Sequence, residues 1–169
     1  IDVVEMVLSG VTNKSIVSAI ANSGAKSVGI SGKDGNLITA KRLIKVDDNS
    51  DSNVEKAIDL GYVGEPEKID PQVIHALINE KMIPVIAPVG IGIDGLTYNI
   101  NADTAAGSIS AAMKASRMIM LTDVAGVLDQ NGKLIPELTI SEAQELIKNK
   151  IVVGGMIPKI KTCIDAVLG

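Results

Sequence analysis

Apolar and polar positions alternate along this chain in two rhythms. Asp2 to Leu8 (DVVEMVL) has the spacing of a helix tail, and Gly10 is expected to stop it. Thr12 or Asn13 is placed to cap a second helix running to about Ser23, with Gly24 as its stop. Lys26 to Ser31 (KSVGIS) predicts a short buried strand, Gly32 to Asn36 (GKDGN) a tight turn, and Leu37 to Leu43 a returning strand. Lys45 to Asn53 is polar and acidic, the pattern of a surface excursion. Tyr62 to Ile69 is extended. Asp70 and Pro71 start a helix that reaches about Lys81.

In the second half, Pro84 to Val89 (PVIAPV) predicts a central buried strand and Gly90 to Gly95 a flexible glycine loop. Asn101 or Ala102 opens a helix of small residues that runs to about Ala115. Met118 to Thr122 (MIMLT) predicts another buried strand. Asp129 to Gly132 is a turn between hairpin-like flanks. Ser141 caps a helix to about Lys148, and a last helix begins near Pro158 after Gly154 and Gly155. Strand, helix and strand thus alternate, which predicts an α/β domain with a mostly parallel sheet. No internal repeat, low-complexity segment or domain boundary stands out.

Composition sharpens this picture. The chain has 169 residues, no Phe or Trp and only two Tyr, Tyr62 and Tyr98. Aliphatic side chains must fill the interior, which suits strands buried on both faces. The formal charge of -4 and the lack of a basic block speak against a nucleic-acid or membrane-surface partner. Cys163 is the sole cysteine, so no internal disulfide can form, and a reducing, cytoplasmic setting is expected. No run of about 18 consecutive apolar residues is present, so no membrane span is expected. The chain begins at Ile1 in mid-pattern and reads as part of a longer protein.

Most stock motifs fail on context. Gly90, Gly92 and Gly95 match GxGxxG, but no helix opens there. A P-loop is absent. Asn13-Lys14-Ser15 matches a glycosylation pattern that a cytoplasmic protein would not use. His75, the sole histidine, has no ligand-spaced partners and is read as structural or exposed; no protein metal site is expected. Cys163 reads as a small core residue.

Three segments stand out. Tyr98 to Ala106 (YNINADTAA) puts Asn99, Asn101 and Asp103 at the mouth of a helix, where amides bind polar ligands and a carboxylate is stabilised by the dipole. A plain helix cap explains it equally well. Leu121 to Leu128 (LTDVAGVL) runs from a strand into Thr-Asp, at the sheet edge where open α/β folds bind ligands; a β-turn at Gly126 is the simpler alternative. Gly154 to Lys161 (GGMIPKIK) combines bare backbone N–H groups, a helix start and Lys159, a local anion site unless the lysines are merely solvated. Lys159 and Lys161 lie two apart and cannot share a helix face. Phosphoryl transfer needs such parts, because it asks for positioning and charge neutralisation more than covalent chemistry. From spacing alone the chain is an anion-binding enzyme candidate.

The run LTDVAGVLDQNGKLIPELT resembles the nucleotide-binding segment of the amino acid kinase family. YNINADTAA and GGMIPKIKT narrow the resemblance to the acetylglutamate kinases of that family, and EMVLSGVTNKSIV and GKDGN agree. The resemblance covers essentially the whole chain. It implies a three-layer αβα sandwich with a mostly parallel central sheet, like that of carbamate kinase and incomplete here at both ends. It implies one domain over 1–169, with about 1–98 on the substrate and dimerisation side and about 99–169 on the nucleotide side.

The reaction implied is MgATP-dependent phosphorylation of N-acetyl-L-glutamate to N-acetyl-L-glutamyl 5-phosphate, in arginine biosynthesis. Asn99 would bind the substrate's α-carboxylate or acetamido end. Asp103 would organise the catalytic centre, and Lys159 would stabilise the moving phosphoryl group. Asp123, Val124, Ala125, Gly126, Val127 and Leu128 would wrap the adenine-ribose end of ATP, with Ile151, Val152 and Val153 lining the same pocket. Mg²⁺ would ride on the ATP phosphates. A homo-oligomer, dimer or trimer of dimers, is implied. The family's glycine-rich phosphate loop, a second lysine and a substrate arginine are expected upstream of Ile1, so these 169 residues alone are expected to be inactive. The alternatives are another acceptor (glutamate, aspartate, carbamate or UMP) or a non-catalytic regulator that binds nucleotide or arginine.

Overall fold

The structure, a computed structural model, describes residues 1–47 and 56–169. Positions 48–53 of the expected surface excursion lie outside the described residues. The chain forms two compact units, Ile1–Ala105 and Ala106–Gly169.

The first unit opens with one helical run from Asp2 to Asn22, built from α1 (Asp2–Glu5), a π-wound segment (Met6–Thr12) and α2 (Asn13–Asn22). Gly10 does not stop it, and neither Thr12 nor Asn13 caps a helix. The reason is tertiary. Asn13 is only 3% exposed, and its Nδ2 donates to Ile30 O at 3.0 Å and Val85 O at 2.8 Å. That double bond to two strands outweighs the ~1 kcal/mol helix penalty of a glycine one turn earlier. Gly24 does end the run, with φ +86°. The run has 21 residues and a mean hydropathy of 1.3 in its most apolar window, which by length and composition alone would suffice to cross a membrane. It holds no unbroken apolar stretch of that length, in keeping with the sequence reading, and Asn13 ties it to a sheet.

That sheet is a parallel pair, β1 (Ser27–Ser31) and β4 (Ile83–Ala87), in register from Ser27↔Ile83 to Ser31↔Ala87. A tight turn at Asp34–Asn36 follows β1, with Gly35 at φ +61°. The remaining strands close a small barrel in the order β2 (Ile38–Asp47), β3 (Lys56–Ile69), β6 (Thr97–Ile100) and β5 (Val89–Gly92). The expected strand over Pro84–Val89 is therefore split at Pro88 between the two sheets. The expected flexible loop is in fact hairpin β5–β6, with Gly90 opposite Tyr98. Gly90 is there for space: a Cβ would stand 2.8 Å from Ile100 Cδ1 and 3.0 Å from Ile38 O. The barrel core is Leu37, Ile38, Ala40, Val89, Tyr98 and Ile100, all at most 2% exposed. Helix α3 (Gln72–Asn79) begins as expected, with Asp70 Oδ1 accepting from Gln72 N at 3.1 Å, but ends before Lys81. His75 is exposed.

Helix α4 (Ala102–Ala112) runs from the first unit into the second. In the second unit, Met118–Thr122 forms no strand; Ile119 is 75% and Leu121 90% exposed. A strand needs a ladder partner, and none of the described residues supplies one. The turn at Asp129–Gly132 stands, with Leu128 bridged to Leu134 and Gly132 at φ +75°. Helix α5 (Ile140–Lys148) is capped by Thr139, not Ser141: Thr139 Oγ1 accepts from Glu142 N at 3.2 Å, and Glu142 Oε2 accepts from Thr139 N at 2.7 Å. Helix α6 (Met156–Leu168) starts two residues before Pro158. Ala143, Val152 and Ile160 form the unit's core, with Val127, Leu146 and Met156 against it. Cys163 is exposed on α6 instead of buried; the residues that α6 buries are Ile160, in the unit's core, and Thr162, against Gly107.

Candidate active site

Alternation along β6 decides what Asn99 does. Tyr98 and Ile100 are buried in the barrel, so Thr97 and Asn99 share the opposite face. Asn99 lines a cleft of about 520 Å³ whose other walls include Val3, Val4, Val7, Leu8 and Pro88. It supplies a polar side chain to an otherwise apolar lining, the arrangement that fixes the orientation of a small ligand.

The neighbouring polar residues divide their roles. Asn101 Oδ1 accepts from Thr104 N at 3.1 Å, so Asn101 is the cap of α4. Asp103 lies half-buried in the first turn of α4, where the dipole favours its charge. The plain-cap reading of YNINAD thus holds for Asn101.

Next to the cleft lies a cluster that sequence reasoning missed. Lys33 Nζ donates to Glu5 Oε1 at 2.9 Å, Glu5 Oε2 at 3.2 Å and Thr97 Oγ1 at 3.0 Å. On the barrel, the Tyr98 hydroxyl donates to Asp94 Oδ2 at 2.6 Å. That bond, with one from Leu96 N, holds the Asp94 carboxyl below its usual range, and the same contact pushes the Tyr98 hydroxyl up.

In the second unit, Asp123, Val124 and Ala125 are exposed; Thr122 Oγ1 donates to Asp123 Oδ1 at 3.2 Å. Gly126 turns the chain at φ +141°, and Val127 then packs on the core. Leu128 is pinned by its bridge to Leu134. Ile151 is half-buried, Val152 4% exposed and Val153 64% exposed. Val152 is thus a core residue whose side chain packs in the same cluster as Val127, so the two predicted nucleotide segments meet through the core. Gly154, at φ +60°, and Gly155 lead into α6, and both have open space where a Cβ would stand. Lys159 is half-buried in the first turn of α6. A 13-residue helix opening on two unobstructed glycines with a lysine in its first turn suits an anion. Among the described residues no three His, Cys, Asp or Glu side chains gather as metal ligands.

Similarity to known proteins bears on the fold and the family. The chain is 60% identical over 167 residues to an acetylglutamate kinase of Gluconobacter oxydans (strain 621H), covering 99% of this chain and 57% of the relative. It is 53% identical over 169 residues to an acetylglutamate kinase of Parvibaculum lavamentivorans, covering 100% of this chain and 56% of that protein. The chain thus spans little more than half the length of these curated relatives. Among solved structures, the smu.665 protein of Streptococcus mutans UA159 matches with TM-score 0.79 at 28% identity, over 97% of this chain and 62% of that one. Carbamate kinase of Giardia lamblia bound to citric acid matches in fold with TM-score 0.61 at 15% identity, over 97% of this chain and 63% of that one. These likenesses bear out the α/β, carbamate-kinase-like fold. The model of the amino acid kinase family matches residues 1–169, and the chain belongs to that family.

Proposed function

We propose that this chain carries the acceptor cleft and the nucleotide segment of an enzyme that transfers the γ-phosphoryl group of ATP to the side-chain carboxylate of N-acetyl-L-glutamate, in arginine biosynthesis. The carrying observation is 52–60% identity to acetylglutamate kinases across the stretch that contains Asn99, Asp103 and Lys159. The acceptor carboxylate is already ionised at neutral pH, so no general base is needed. One carboxylate oxygen forms the new O–P bond, the bond between the γ-phosphorus and the β–γ bridging oxygen breaks, and ADP leaves with that oxygen. The protein's tasks are alignment and charge neutralisation.

Asn99 holds the acceptor by its α-carboxylate or acetamido end in the cleft. Asp103 organises the cationic groups around the reacting atoms. Lys159 and the backbone ahead of α6 meet the moving phosphoryl group. Asp123 to Leu128, with Ile151 and Val153, hold the adenine-ribose end, while Val152 supports them from the core. Mg²⁺ arrives on the nucleotide phosphates, whose hard oxygens suit it. The protein acts in the cytoplasm as a homo-oligomer.

The test is acyl phosphate trapping with hydroxylamine in the full-length protein. MgATP is supplied with N-acetyl-L-glutamate and, in parallel, with glutamate, aspartate, carbamate or UMP, the last read by ADP release. Hydroxamate with N-acetyl-L-glutamate alone is expected. Product with another acceptor overturns the substrate. A folded protein that binds ATP or arginine but yields no product is a regulator.

A further inference from the structure

We propose that Lys33 is a positioning residue for the acceptor cleft: its ammonium group clamps the helix wall to the strand that carries Asn99. The inference rests on the reaction proposed above. Lys33 is not among the residues that line the cleft. It reaches the cleft through two neighbours, one in each wall. Glu5, which accepts with both carboxylate oxygens, lies on the helical run between the lining residues Val4 and Val7. Thr97, which accepts with its hydroxyl, lies two residues before Asn99 on the same face of β6. Three bonds from one nitrogen therefore set the distance between Val3–Leu8 and Asn99.

The base of the clamp is rigid without its tip. Gly32 N donates to Ala87 O at 3.1 Å, and Ile38 N to Gly32 O at 2.7 Å. Ser31 N and Oγ both donate to Asp34 Oδ2, at 2.7 and 2.8 Å. Removing the ammonium group leaves this turn held from three sides. The Lys33–Glu5 pair is also about a third exposed, 31% on each side chain, so it contributes little to global stability. What it controls is placement, and misplacing a binding group by a fraction of an ångström acts on substrate affinity.

The experiment measures steady-state kinetics and melting temperature on the full-length enzyme and its Lys33→Met, Lys33→Arg, Thr97→Val and Glu5→Gln variants. Lys33→Met is expected to raise KM for N-acetyl-L-glutamate about tenfold, the order expected for losing charge-assisted bonds. Its KM for ATP should stay within about twofold and its melting temperature within about 3 °C. Thr97→Val removes one acceptor without changing shape and should raise the acceptor KM about threefold. Lys33→Arg should lie closer to wild type than Lys33→Met, and Lys33→Met combined with Glu5→Gln should be no worse than Lys33→Met alone. Acceptor KM unchanged in both Lys33→Met and Thr97→Val overturns the clamp, as does an equal rise in both KM values. Should Lys33→Met fail to fold, Thr97→Val decides alone. A wild-type enzyme silent with N-acetyl-L-glutamate defeats the proposed reaction and the clamp together; an active wild type with unmoved variants defeats the clamp only.

Discussion

Asn13 is the side chain on which the first unit's layering most depends, and its role separates two readings of the same residue. A cap at the start of a helix would satisfy one local backbone N–H. In the structure Asn13 instead brackets the parallel pair, donating to Ile30 O on β1 and Val85 O on β4. Asn13→Leu removes both donors and leaves two carbonyl oxygens under a buried side chain, at about 1–3 kcal/mol each. One term works the other way. Asn13 Oδ1 is itself buried without a partner, and the substitution removes that cost. The net expectation is a loss of about 2 kcal/mol, or about 4–8 °C in melting temperature for a protein of this size class. The discriminating variant is Asn13→Ser. Serine caps helices as well as asparagine does, but it is too short to reach two strands. Urea unfolding of the full-length protein, followed by circular dichroism at constant m-value, measures the difference. Asn13→Ser should fall within about 1 kcal/mol of Asn13→Leu, and Thr12→Ala should be neutral, since Thr12 makes no side-chain cap bond. A stable Asn13→Ser protein with a destabilised Thr12→Ala protein would refute the bracket and restore the cap.

Two further outcomes are expected. Lys159→Ala in the full-length enzyme should lower turnover by about 10²- to 10³-fold, the loss of one charge-stabilising donor; turnover within about threefold of wild type removes Lys159 from the chemistry. The Thr139–Glu142 box makes a pH prediction. Thr139 N and Oγ1 both donate to Glu142 Oε2 at 2.7 Å and hold its carboxyl below the usual 4.5. A group lowered on folding stabilises above its unfolded value and stops doing so as pH falls through its folded value. The stability gap between wild type and Glu142→Gln should therefore be full at neutral pH and close as acid is added below about pH 4.5, measured by thermal melts; a gap independent of pH rejects the ionised cap.

Local rules and distant partners divide what was legible. Gly24, the Gly32–Asn36 turn, β1, α4 and the Asp129–Gly132 turn were readable because each is decided by residues within a few positions of one another. Gly10 misled because a glycine stops a helix only where the chain has nothing better to gain by continuing. Here the gain is Asn13, whose bond to Val85 spans 72 positions. Gly90 and Gly92 misled for a related reason: glycine reads as freedom in a sequence, but in the barrel it marks places too crowded for a Cβ. Met118–Thr122 has every local mark of a strand and lacks a ladder partner among the described residues, and no count of apolar residues can supply one.

The site follows the same division. Asn99 was visible as an amide at the mouth of a helix and through the family resemblance; the alternation along β6 that buries Tyr98 and Ile100 and leaves Asn99 on the other face came only with the structure. Asn101 was visible as an opener of α4, one of two candidates with Ala102, and its bond to Thr104 N selects it as the cap. Lys33 was not visible at all. In GKDGN it reads as a turn lysine facing water, and its acceptors stand 28 and 64 positions away. A residue whose function is to set the distance between two walls leaves no local pattern, because the walls are joined only in the folded chain. Reacting groups announce themselves by type and positioning groups by contact, so the clamp at Lys33 had to be found in the structure and must be tested through the acceptor's KM.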